Sequence, residues 1–80
     1  MLFRSMDITD ILIHVHSELA QAEQTLIEAA LASQAGVISS HFSAKHPHEL
    51  IVAYDPQATG SGHLLGIVRQ WDAAAMMAGL

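Results

Sequence analysis

From Ile11 to His16 apolar and polar side chains alternate, the period of a strand with one face against a core. Ile11, Ile13 and Val15 fall on one face, with Leu12, His14 and His16 on the other. After Ser17, which is a good N-cap with Glu18 beside it, the period changes to that of a helix running from Leu19 to Gln34. Its expected buried stripe is Leu19, Ala22, Leu26 and Ala30, widened by Ile27 and Leu31, and Gly36 ends it. Val37 to Ser43 reads as a second strand, Ser40 and Phe42 facing one way and Ser39 and His41 the other. Pro47 breaks the turn Ala44-Lys45-His46-Pro47-His48, and Leu50 to Tyr54 forms a third strand, antiparallel to the second. Thr59 or Ser61 caps a second helix whose stripe is Leu64, Ile67, Val68 and Trp71. Asp72 ends that helix, and Ala75-Met76-Met77 is a candidate short edge strand.

Strand, helix, strand, strand, helix, strand is the order of an α+β ferredoxin-like βαββαβ sandwich. Both helices then cover one face of an antiparallel sheet and leave the other open. All 80 residues form one domain, with residues 1–6 as a loose lead-in.

Composition narrows the function classes. Three basic residues against eight acidic ones leave too little positive charge to neutralise phosphates, so no nucleic acid is expected as a partner. The absence of cysteine removes thiolate metal sites and thiol nucleophiles together. Neither a signal peptide nor an apolar run that could span a bilayer is visible, so membrane insertion is not expected and the cytoplasm is the expected compartment. Phosphate loops, H-E-x-x-H and G-x-S-x-G are missing, and Arg4, Lys45 and Arg69 do not make an anion site; the chain does not read as an enzyme. Protonating all six histidines would bring the formal charge from −5 to +1, so its sign changes across mildly acidic pH.

Gly36-Val37 after the first helix and Tyr54-Asp55-Pro56-Gln57-Ala58-Thr59 before the second resemble the heavy-metal-associated domain family, with Glu28 and Leu31 at further similar positions. The likeness runs from about Ile11 to Gly79. That family includes small copper chaperones, mercury-binding proteins and the N-terminal domains of metal-pumping ATPases, so the resemblance implies its fold and a metal-handling role. Family members hold soft metals through a Met-x-Cys-x-x-Cys loop between first strand and first helix. Counting back from Gly36, those positions carry Glu18, Ala20 and Glu23, none of them a soft ligand for Cu(I). The family's aromatic or lysine after the second helix is Ala73.

Histidine is the remaining candidate ligand. His14 and His16, two apart on a strand, project to one face, and imidazole suits Zn²⁺, Cu²⁺ or Ni²⁺. His41 shares that face but belongs one strand beyond the third, about 10 Å from the first, far for one molecule and less so across a dimer. His46 and His48 in the hairpin turn are the alternative ligands. Against both stands the plainer reading of histidines on a wet sheet face and a solvated turn. His63 reads as a surface residue, Glu18 and Glu23 as a solvated helix start, and Met76 and Met77 as packing or interface residues rather than thioether ligands.

Two functions from different classes follow. One is metal handling through His14 and His16, completed by other ligands. The other is a protein-interaction or self-association module, for instance a homodimer, using Leu12, Ile51 and Ala53 on the open sheet face.

Overall fold

The computed structural model describes residues 8–78, so the lead-in 1–6, Gly79 and Leu80 lie outside the described residues. The elements are β1 (Thr9–His14), α1 (Gln21–Ala32), β2 (Val37–Phe42), β3 (Glu49–Tyr54), α2 (Ser61–Val68) and β4 (Met76–Ala78). They form one antiparallel sheet in the order β2-β3-β1-β4, the ferredoxin-like arrangement expected. Ile11, Ile13 and Val15 alternate inward with Leu50, Val52 and Tyr54, and meet Ile27 and Leu31 of α1 and Leu64, Leu65 and Val68 of α2 in one core. Both helices therefore cover the same face. No helix among the described residues is long and apolar enough to cross a membrane.

The register fixes what shares the other face. Leu12 stands opposite Ile51 on one side and Ala78 on the other, while His14 stands between Glu49 and Met76. Leu12, Ile51 and Ala53 are half-buried, and Met76 is 50% exposed.

Helix α1 departs from the sequence reading at its start and in its rotation. It begins at Gln21 with Ala20 as N-cap, not at Leu19 with Ser17. The Ser17 N–H donates to a carboxylate beyond α2, and the chain becomes helical only at Gln21. Glu23 instead accepts the Ala20 N–H through Oε1 at 3.1 Å, half of a capping box. The buried row is Ile27 and Leu31, both fully enclosed, whereas Leu26 of the expected stripe is 57% exposed. Next to Ile27, Glu28 faces β2: its Oε2 accepts the Phe42 N–H at 2.8 Å, and its carbonyl accepts the Ser40 hydroxyl at 2.8 Å. A bulge at Ile38, where β2 shifts register between Val37 and Ser39, turns that side chain outward, 49% exposed.

Helix α2 has Gly60 as its N-cap rather than Thr59 or Ser61, and no side chain caps it. Leu64 and Val68 are buried as expected, with Leu65 added to the core and Ile67 at its margin, but the helix ends at Val68, so Trp71, which also packs at the margin, and Asp72 lie beyond it. Gly66 is exposed inside this helix, and a Cβ built there meets nothing within 4 Å. Gly66→Ala is therefore expected to stabilise the domain by about 0.5–1 kcal/mol, because alanine loses less backbone freedom on helix formation. Thermal unfolding should show a midpoint raised by a few degrees, and an unchanged or lowered one would contradict the assignment. The final strand forms one residue later than the sequence suggests, with Ala75 buried ahead of it.

Candidate functional site

The end of β1 carries the two histidines that sequence reasoning singled out. Val15 between them is fully buried, and this anchors the extended backbone and turns His14 and His16 away from the core. Their rings lie with centroids 4.9 Å apart in an edge-on arrangement. His14 is half-buried and His16 exposed.

A third imidazole arrives from the β2–β3 hairpin. The Val15 N–H donates to the His48 carbonyl at 2.9 Å, and His48 Nδ1 lies 2.9 Å from the Val15 carbonyl. A carbonyl oxygen only accepts, so Nδ1 must carry the proton, and Nε2 is left with its lone pair free. The His48 ring lies 6.1 Å from that of His14, inclined by 26°. His48 thus lies beside His14.

His41 is elsewhere. It pairs with Ile51, which in turn faces Leu12, so His41 stands two strands from β1 and is exposed. His46 is exposed at the hairpin, its N–H donating to Ser43 Oγ. His63 donates through Nε2 to the Gln34 side-chain oxygen at 3.0 Å, tying α2 to α1. Among the described residues, no three His, Asp or Glu side chains converge as a ready-made metal cluster. What the fold brings together is a histidine pair with a third imidazole alongside.

The residue that sequence reasoning missed is Asp72. It is 5% exposed, and its Oδ2 accepts the N–H of His16 at 2.6 Å and of Ser17 at 3.2 Å. Oδ1 accepts the Ala74 N–H at 3.0 Å. Burial raises the pKa of this carboxyl, but those three donors outweigh it and, with the His16 charge nearby, hold it below the ordinary carboxylate value. One signal was available: Asp72 is the only charged residue between Arg69 and the C-terminus, set in an apolar run.

Beside the histidines, an open cleft of about 440 Å³ separates the β1–α1 loop from the hairpin, lined by Ser17, Glu18, Leu19, Ala20, Pro47 and His48 among others. This loop holds the positions where the resemblance would put soft ligands. Ala20 offers none, Glu18 is exposed, and Glu23 is engaged in capping α1. These positions offer no thiolate or thioether for Cu(I).

No family model matches the chain, and no curated protein matches it closely. Solved structures do. A CopZ metallochaperone superposes with a TM-score of 0.72 at 14% identity, covering 88% of this chain and all of that one. A copper-binding domain from HMA7, a P-type ATPase, gives 0.73 at 19% identity over 88% of this chain and 93% of its own. Oxidized MerP from Ralstonia metallidurans CH34 gives 0.71 at 14% identity over 90% and 96%. The chain shares the fold of these three proteins over 88–90% of its length.

Proposed function

We propose that the domain handles a divalent transition ion, Zn²⁺, Cu²⁺ or Ni²⁺, bound through His14 and His16 in place of thiolates. The juxtaposition of those two rings at the end of β1 carries the reading. The fold shared with a metallochaperone and a copper-binding domain supports it. His48 presents a further free nitrogen beside the pair, with its tautomer set by Val15. Two or three imidazoles leave coordination positions for water or for a partner's ligands. Such a site holds cargo that a receiving protein can take over by ligand exchange. Imidazole must be neutral to bind, so affinity falls as pH drops through the histidine range.

Calorimetric titration of the tag-free protein with each ion near neutral pH tests this. Stoichiometric binding is expected, weakened tenfold or more in the His14→Ala/His16→Ala double variant and retained in His46→Ala. No binding by the wild type, or binding that survives the double variant, would overturn the reading.

A second reading rests on the row Ile51–Leu12–Ala78 across the open face, with Ala53 and exposed Met76 beside it. An apolar strip of this kind suits a protein partner or a second copy. A dimer mass by light scattering that reverts to monomer in Leu12→Asp favours it; a monomer at all concentrations removes self-association.

A further inference from the structure

Among the described residues the backbone beyond β1 has no strand to pair with, so something other than the sheet fixes His16. Pairing of β1 with both β3 and β4 stops at His14. Val15 is held on one side by the hairpin, through its two hydrogen bonds with His48. On the other side Asp72, 56 residues away in sequence, takes the His16 and Ser17 N–H groups. Asp72 is itself fixed: its N–H donates to the Val68 carbonyl at 3.1 Å, its carbonyl accepts the Ala75 N–H at 3.0 Å, and Oδ1 is engaged by Ala74. Both carboxylate oxygens are thus committed to backbone donors, which leaves Asp72 unsuited to be a ligand.

We infer that Asp72 is a positioning residue of the His14–His16 site, clamping the His16–Ser17 backbone so that the two imidazoles are held side by side before an ion arrives. The inference rests on the metal-handling reading above. A loop ordered in advance loses less conformational freedom on binding, and groups that orient ligands in this way are commonly worth about 10- to 100-fold in metal affinity. Asn in this place keeps the size but replaces one oxygen with an NH₂ that faces N–H donors, so it cannot hold all three bonds.

The test compares wild type, Asp72→Asn and Val37→Ala, the last a packing change at the far end of the sheet that lowers stability without touching the loop. With Zn²⁺ and Cu²⁺, Asp72→Asn is expected to bind about tenfold more weakly and to change the Cu²⁺ electron paramagnetic resonance spectrum; Val37→Ala should match wild type in both. In the metal-free wild type, the His16 and Ser17 amides should exchange with solvent at least tenfold more slowly than that of the neighbouring exposed loop residue Glu18. Unprotected amides overturn the clamp whether or not the variant folds. A wild type that binds no ion overturns the metal-handling reading, whereas wild-type affinity and spectrum in Asp72→Asn overturn the role of Asp72 alone.

Discussion

Gly36→Ala is expected to destabilise the domain by about 3 kcal/mol. Gly36 has φ +92°, a region where an L side chain is strained by roughly 1–2 kcal/mol. A Cβ there would lie 2.6 Å from the Ala58 Cβ and 3.3 Å from Thr59 Cγ2, an overlap that adds roughly 1–3 kcal/mol unless the turn moves. The turn is poorly free to move, because the Asp55 N–H donates to the Gly36 carbonyl at 2.7 Å and Val37 pairs with Tyr54. For a chain of this size the loss is a large share of a total stability of roughly 4–12 kcal/mol. The thermal midpoint should fall by more than 10 °C. A fall of under 3 °C would show that the turn yields. Gly66→Ala serves as the control, being the same change where no neighbour is met.

The contact also explains what the resemblance to heavy-metal-associated domains records. Its two most specific segments, Gly36-Val37 and Tyr54 to Thr59, lie against one another and lock the start of β2 to the loop before α2. They are scaffold residues. The loop where that family keeps its thiolates lies at the opposite end of the sheet, past His14, and there the likeness stops. A scaffold can persist while its site is rebuilt.

Ile13→Ala should lower stability by a similar amount, about 3–4 kcal/mol. Ile13 is fully buried on β1, paired with Leu50 on one side and Met77 on the other, beneath both helices. Removing a buried isoleucine to Cβ gives up its transfer free energy and leaves a cavity that neighbours fill only in part. Urea unfolding should show a lower midpoint with an unchanged slope. Ile13→Val, which removes one methyl, should lose only about 1 kcal/mol. A loss under 1 kcal/mol for the alanine variant would mean that β1 is not the central strand. Because Ile13 and Val15 flank His14, the same burial that holds the core sets the direction of the histidine.

The sequence carried the strands well because period-two alternation is local, and Ile11, Ile13 and Val15 state it without ambiguity. For the same reason the pairing of His14 with His16 was legible: two residues on an extended backbone share a face. The start of α1 was not legible. Ser17 is an ordinary N-cap by composition, yet its N–H meets a carboxylate 55 residues downstream and the cap falls on Ala20. Rotation of α1 was equally hidden, since Leu26 and Ile27 are adjacent and equally apolar; contact with the sheet, not hydrophobicity, buries the second and leaves the first exposed. His48 joined the site through the hairpin register, which sets its carbonyl opposite the Val15 N–H. Long-range hydrogen bonds of this kind leave no period to read.

Glu28 has a consequence beyond joining helix to sheet. By taking the Phe42 N–H it occupies a group that the outer margin of β2 would otherwise present to another chain, and the Ile38 bulge breaks the line of that margin. At the opposite border β4 is only three residues long. Among the described residues, neither side offers the long, flat template on which strands of separate molecules stack into fibrils.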